Sequence, residues 1–287
     1  MPNENDVSII VTYYKTPEIL QECLRRLDIY APHAEIIVAD NNSKDGSLEG
    51  LAQTHPHIKP IWANNHSMAD LVNTGLKVAT KDYLLQMNTD VYIEEDTIGA
   101  MLECLQNPKV GMVGPRCKDK HNDWQNQGIF YKSYYLQLQF TKAQGIKVPW
   151  LSGCCTMLRR DVLEKVGGMN SSYRFYNEDL EWSWRIQKAG YECRLLRNEV
   201  THLGGSSTPK DPKFIIEGYR GGMVLSQHYK PGWYQMAHRQ VVLLEAIYKQ
   251  HFGSTLEKKS YKKIQDMFEQ NNFIQSPFGE TLSEENL

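Results

Sequence analysis

The sequence lacks the features that would assign it to a specialised class. Its 287 residues carry 32 Lys plus Arg against 34 Asp plus Glu, a net charge of −2. No excess of one sign argues for nucleic acid as a partner. No apolar run reaches the length of a membrane-spanning helix, and the polar stretch Pro2–Asp6 is no signal-peptide core. Internal repeats and low-complexity linkers are missing, and 20 glycines and 12 prolines are ordinary for a globular chain. The 6 cysteines form no Cys-x-x-Cys pair and no zinc-like spacing. In a chain of this length Cys23, Cys104, Cys117, Cys154, Cys155 and Cys193 read as buried thiols of a reducing compartment. Adjacent Cys154 and Cys155 point to opposite faces of an extended segment, so packing is preferred there over a redox pair. No Gly-x-Gly-x-x-Gly follows the first apolar run, which sets a nicotinamide dehydrogenase aside. The expectation is a cytoplasmic globular protein.

What the sequence does have is alternation. Val7–Val11 reads as a buried strand. Thr16 and Pro17 then supply an N-cap and a first helical position, and Ile19, Leu20, Cys23, Leu24 and Leu27 follow at helical spacing. Strands at Ile36–Ala39, Ile58–Trp62 and Tyr83–Met87 alternate with helices at Leu48–Gln53, Ala69–Ala79 and Thr97–Gln106. This order predicts an α/β fold with a mostly parallel sheet covered on both faces. Ligands of such sheets bind beyond the carboxyl ends of the strands, where Thr12–Tyr14, Asp40–Asn42 and Asn88–Asp90 fall. The second half is less regular. Strands are expected at Val110–Val113 and Tyr191–Leu196, an antiparallel pair within Gly128–Phe140, and helices at Asp179–Ala189 and, led into by Thr156–Leu158, at Asp161–Val166. After Pro212 the pattern is helical, at Phe214–Tyr229, Tyr234–His251 and Leu256–Gln270. The expected organisation is a single domain over residues 1–210. A helical extension covers 211–287.

Several segments carry a resemblance together. VSIIVTYYKTPEILQECLRRL, EIIVADNNSKDGS and DYLLQMNTDV are followed by WLSGCCTMLRRDVLEKVGGMN, FYNEDLEWSWRIQKAGYECRLL and THLGGSS. In this order they resemble the nucleotide-sugar glycosyltransferases of family 2, in the rhamnosyltransferase-like branch, from about Val7 to Ser207. The resemblance implies a GT-A fold, with a nucleotide-binding half at about 1–115 and an acceptor-side half at about 116–210. It also implies a nucleotide-diphosphate sugar donor, a divalent metal (Mg or Mn) and inversion at the anomeric carbon. It further implies a hexosyltransferase acting on a growing bacterial surface glycan or its lipid-linked precursor. A dTDP- or UDP-sugar is the expected donor, dTDP-rhamnose first.

Each candidate site residue also has a plain reading. Asp40, followed by Asn41 and Asn42, is ordinary turn chemistry. Beside Thr12 and Tyr14 on one rim, its acceptance of the imide N–H of a uracil or thymine ring is the preferred reading. The resemblance puts Thr12, Tyr14 and Asn65 with Asp40 in the nucleotide pocket. Asn88-Thr89-Asp90 takes the place of the family's acidic metal motif; the leading Asn removes one charge, leaving Asp90 as the oxygen ligand. His202, beside Gly204 and Gly205, is implied as a second ligand or diphosphate contact. The stretch Ser67–Asn73 departs from the relatives' glycine-containing pattern. Glu178 and Asp179 suit the first turn of a helix by charge alone. The resemblance makes Asp179 the general base that takes the acceptor hydroxyl's proton, with Glu178, Gly153 and Trp150 on the acceptor. Of the aromatics in this half only Trp150 is placed in the cleft, because most aromatic side chains are core. Lys258, Lys259, Lys262 and Lys263 read first as a solvated face and second as a peripheral contact with anionic lipid at the inner face of the membrane. The rival reading is a catalytically silent nucleotide- or carbohydrate-binding partner protein that keeps the same fold.

Overall fold

Every residue of Val7–Tyr13, strand β1, is buried. A strand covered on both faces belongs in a sheet interior, and β1 lies there. The computed structural model describes residues 1–63, 67–125, 145–204 and 211–279. β2 (Glu35–Asp40) and β4 (Tyr83–Asn88) flank β1 in parallel, and β3 (Ile58–Trp62) extends the sheet outside β2. Helix α1 (Pro17–Tyr30) turns Leu20, Cys23, Leu24 and Leu27 inward, as their spacing predicts. Thr16 holds the N-cap position, but its hydroxyl makes no cap bond; Pro17, with its fixed φ, starts the helix. Helices α2 (Ser47–Thr54) and α3 (Met68–Val78) connect the next strands. A methyl group on Gly75 of α3 would sit 2.3 Å from Ile10 Cγ2, so the absent side chain lets α3 approach β1 closely.

Strand β5 (Val91–Tyr92) and helix α4 (Thr97–Leu105) lead to β6 (Val110–Lys118) and the short β7 (Ile146–Val148). After these come β8 (Cys155–Arg159), α5 (Arg160–Val166), α6 (Glu178–Lys188) and β9 (Glu192–His202). Among the described residues the strands form one nine-stranded sheet in the order β3-β2-β1-β4-β8-β6-β9-β5, with β7 paired to β9. The first four strands are parallel throughout. β8 enters antiparallel between β4 and β6, and β6 and β9 are again parallel. Two reversals position the site. In antiparallel β8, Cys155 pairs with Met87, so the start of β8 lies at the carboxyl end of β4. The antiparallel β5–β9 pair sets His202 opposite Val91. The antiparallel pair expected within Gly128–Phe140 lies outside the described residues.

The chain divides into two compact units: Met1–His66, Asp70–Met169 and Asp179–Ser207, which contain the sheet, and Ser67–Ala69, Asn170–Glu178 and Thr208–Leu287. The second contains α7 (Pro212–Tyr229), α8 (Gly232–Phe252) and α9 (Thr255–Glu269). At its centre is a fully buried ion pair, Arg220 Nη2 to Glu217 Oε1 at 2.5 Å. Arg220 also donates to the carbonyls of Phe273 and Ser172, while Glu217 accepts from Arg174 N–H and Ser276 Oγ. All six cysteines are buried and free, as expected. Among the described residues no helix is long and apolar enough to cross a membrane.

Candidate active site

The first part of the site is the rim where β1 and β2 end. Asp40 is buried, and its carboxylate closes the turn after β2 by accepting the Ser43 backbone N–H at 3.0 Å and the Ser43 hydroxyl proton. The same hydroxyl oxygen accepts from Lys15 N–H at 3.0 Å, joining the loop after β1 to the loop after β2. Burial raises the Asp40 pKa against the lowering effect of these bonds. Tyr13 and Tyr14 separate cleanly. Tyr13 is core, its hydroxyl donating to Asp45 at 2.5 Å. Tyr14 is partly exposed, and the Lys15 ammonium lies 5.3 Å from its ring centre. Thr12, also buried, donates to Asn88 Oδ1 at 3.1 Å. The leading Asn of Asn88-Thr89-Asp90 thus links the ends of β1 and β4.

Asp90 lies just beyond, with His202 Nε2 3.5 Å from its Oδ1. His202 Nδ1–H donates to Gln125 Oε1 at 2.6 Å, and Gln125 Nε2 donates back to the His202 carbonyl at 2.8 Å. This pairing fixes the ring and turns Nε2 toward Asp90, the arrangement that outer-shell partners give to ligating histidines. Leu203 N–H donates to the Asp90 carbonyl at 2.9 Å and holds the two segments together. Burial disfavours charge on His202. The Asp90 carboxylate and the Cys154 sulfur outweigh it, raising the His202 pKa to about 10. Among the described residues no group of three or more His, Cys, Asp and Glu is placed to hold an ion. Asp90 and His202 offer one oxygen and one nitrogen, a donor set that fits a divalent ion drawing its remaining ligands from a diphosphate and water.

The third part is Gly153 with Asp179, in the first turn of α6. Gly153 N–H donates to Asp179 Oδ2 at 2.9 Å, and Leu180 N–H donates to Oδ1 at 2.8 Å. A methyl group on Gly153 would lie 3.0 Å from Asp179 Cβ, so any larger residue there would push Asp179 back by a few tenths of an ångström. Asp179 is partly exposed. Its carboxyl is held above the ordinary range, desolvation by burial outweighing the backbone donors. Ser183 Oγ donates to the Asp179 carbonyl and accepts from Leu151 N–H, anchoring the loop before β8 to α6. Cys154 joins the second and third parts. Its carbonyl accepts from Asn88 N–H at 2.9 Å, and its sulfur lies 3.4 Å from Cys117 Sγ and close enough to His202 to act on the ring's charge.

Thr12, Tyr14, Asp40, Asp90, Gly153, Asp179 and His202 are thus tied to strand ends of one sheet. Trp150 is partly exposed after β7, and Glu178 is buried at the start of α6. Asn65 lies outside the described residues. Other parts of the FYNEDLEWSWR string are architectural. Trp182 Nε1 donates to the Gly167 carbonyl; Arg185 pairs with Glu181 and donates to the Val166 and Gly168 carbonyls, securing the end of α5. Sequence reasoning passed over Ser43, Gln125 and Cys154. Ser43 had a local signal, since a serine three residues after Asp40 completes an Asx-type turn. Gln125 had none, being 77 residues from the histidine that it orients.

Comparison with known proteins identifies the family and the fold. The sequence profile of "Glycosyl transferase family 2" matches residues 8–167. The N-acetylglucosaminyl-diphospho-decaprenol L-rhamnosyltransferase of Mycobacterium tuberculosis is 24% identical over 295 residues, covering 89% of this chain and 95% of the relative. The poly-beta-1,6-N-acetyl-D-glucosamine synthase of Staphylococcus epidermidis is 26% identical over 196 residues, covering 66% of this chain and 47% of its own length. Among solved structures, the mannosyltransferase PcManGT from Pyrobaculum calidifontis, in complex with GDP-Man and Mn2+, superposes with a TM-score of 0.61 at 18% identity. The match covers 92% of this chain and 84% of that one, and it shows a shared fold. With more than half of its length matched by the family profile, and with the fold of known glycosyltransferases, this chain belongs to glycosyl transferase family 2.

Proposed function

We propose that the chain is an inverting, metal-dependent hexosyltransferase that moves a sugar from a dTDP- or UDP-sugar to a hydroxyl of a bacterial surface glycan or its lipid-linked precursor. The rhamnosyltransferase relative makes dTDP-rhamnose the first donor to test. In this reading Thr12, Tyr14, Asp40 and Asn65 bind the nucleotide, Asp40 accepting the base imide N–H and Tyr14 offering its exposed ring. Asp90 and His202 hold Mg or Mn. The bound ion supplies charge neutralisation for the diphosphate leaving group. Trp150 and Glu178 contact the acceptor.

Asp179 is the general base. As the acceptor oxygen attacks the anomeric carbon, its proton passes to the Asp179 carboxylate. The bond from that carbon to the diphosphate oxygen breaks, with its electron pair leaving on the phosphate. A carboxylate whose pKa is raised is a stronger base than an ordinary one. Gly153 N–H keeps it oriented throughout. The observation that carries the reading is this Gly153–Asp179 pair, linked through Cys154 to the Asp90–His202 pair.

The silent-partner alternative is favoured by one observation. Asn88 is engaged with Thr12, which leaves a single carboxylate in the metal motif. Incubation with Mn2+ or Mg2+ and a panel of nucleotide sugars separates the two. A transferase slowly releases nucleoside diphosphate without its acceptor, whereas a silent partner releases none with any donor.

A further inference from the structure

Helix α8 presents its charged residues to the protein and its apolar ones to solvent. On the inward side Val242 and Ala246 are buried. Arg239 donates to the Glu269 carbonyl at 3.1 Å, Lys249 pairs with Glu257 at 2.6 Å, and Gln250 donates to Gln265 at 2.7 Å. The outward side carries Trp233, Met236, Val241, Leu244, Tyr248 and Phe252 at helical spacing. Trp233 is 68%, Leu244 66% and Phe252 76% exposed. The other residues of this stripe, among them Ala237, Gln240 and His251, include no Asp, Glu, Lys or Arg. These side chains expose on the order of 800 Å², more than the largest apolar patch of an ordinary monomer. Over 21 residues the stripe runs for roughly 30 Å.

Charge decides what covers it. Arg239 and Gln250 border the stripe on the side of Met236, and their partners Glu269 and Gln265 lie on the near ridge of α9. Lys258 and Lys262 follow on the next ridge outward by helical geometry. Both are exposed, and Lys262 pairs with Asp266; Lys259 and Lys263, also exposed, stand further round α9 beside Asp211 and Lys213. An antiparallel two-fold pairing of the stripe would set the lysines of both copies on the same side, like against like. An anionic bilayer satisfies both features, taking the apolar stripe into its interface and the lysines onto its headgroups. We propose that α8 and α9 form a docking surface for an anionic lipid bilayer, with α8 lying in the headgroup plane. The proposal holds whichever sugar the enzyme transfers.

The test is co-sedimentation of the full chain with phosphatidylcholine vesicles, with and without phosphatidylglycerol, alongside light scattering of the free protein. Wild type binds the phosphatidylglycerol vesicles at low salt and weakens as salt rises. Leu244→Glu with Phe252→Glu stays in the supernatant. Lys258→Gln with Lys262→Gln loses about tenfold in affinity for the anionic vesicles. Both double variants keep the wild-type melting curve, because all four side chains are exposed. Wild type remaining in the supernatant at low salt overturns the proposal. So does a solution dimer that Leu244→Glu with Phe252→Glu dissociates, since the stripe would then belong to a second copy.

Discussion

Asp179→Asn separates chemistry from architecture, and the structure sets both magnitudes. Each Asp179 oxygen accepts one backbone N–H, from Gly153 at 2.9 Å and from Leu180 at 2.8 Å. An amide has one oxygen, so its NH2 group must face one of those donors. An unmatched polar contact of this kind costs about 1–3 kcal/mol, and partial exposure puts the variant at the lower end. Loss of the base costs ~10²–10⁴ in rate, far more than that strain explains. Wild-type activity should rise with pH through a midpoint above the ordinary carboxylate range, because burial raises the Asp179 pKa. That limb should vanish in the variant. The assay pairs nucleoside diphosphate release with donor affinity by titration calorimetry and a melting curve. Turnover should fall by at least two orders of magnitude, with donor affinity unchanged and a small drop in melting temperature. Glu178→Gln should do less, and chiefly through the apparent affinity for acceptor. Turnover within tenfold of wild type in Asp179→Asn would reduce Asp179 to a helix-start residue, and a larger loss in Glu178→Gln would move the base there.

Further outcomes follow from the other parts of the site. Asp90→Ala should abolish the response to Mg or Mn while leaving the melting curve near wild type, since a rim loop adds little to the core; full activity in excess chelator would refute the metal assignment. The His202 pKa, raised to about 10, means that a metal must displace its proton at neutral pH. Metal affinity should therefore climb with pH up to about 10, with proton release visible by calorimetry in buffers of different ionisation enthalpy. The stabilisation that His202 gives the metal-free protein should be complete below its unfolded value of about 6.5 and be lost as pH rises through 10; a pH-independent metal affinity would contradict both. Asp40→Ala should weaken all uridine and thymidine nucleotides about tenfold or more. Ser43→Ala, which removes the hydroxyl bond to the carboxylate and keeps the backbone one, should weaken them less; equal losses would assign Asp40 to the turn alone. Arg220→Ala leaves Glu217 charged and buried, and should cost about 3–5 kcal/mol in denaturant unfolding; a cost below 1 kcal/mol would show that the pair is not what holds the second unit.

Much of the fold could be read in advance because its signals are local. β1 is an unbroken apolar run, α1 keeps its helical stripe, and the polar residues after β1, β2 and β4 mark the rim where ligands of such sheets bind. The family profile ends at residue 167, so Asp179 and His202 rested on the later motifs alone. Local logic fails where partners are distant in sequence. Gln125 orients His202 across 77 positions, and the antiparallel entry of β8, which brings Gly153 and Cys154 to the rim, has no marker in the chain. Asp40 shows that two readings need not compete, since its carboxylate closes the turn whatever else it binds. Glu217 and Arg220 look like a surface pair at helical spacing, yet both are buried. The stripe on α8 was hidden for a related reason. Periodicity marks an apolar face but not whether that face is covered.

The most direct measurement is the anomeric configuration of the sugar that the enzyme first releases from its nucleotide donor when water takes the place of the acceptor. Proton NMR reads it before the free sugar mutarotates. With Mn2+ present, a single displacement assisted by Asp179 predicts the anomer opposite to that of the donor, and none in Asp179→Asn. Release of the donor's own anomer would require two displacements or attack from the face of the leaving diphosphate, and either would contradict the role given to Asp179.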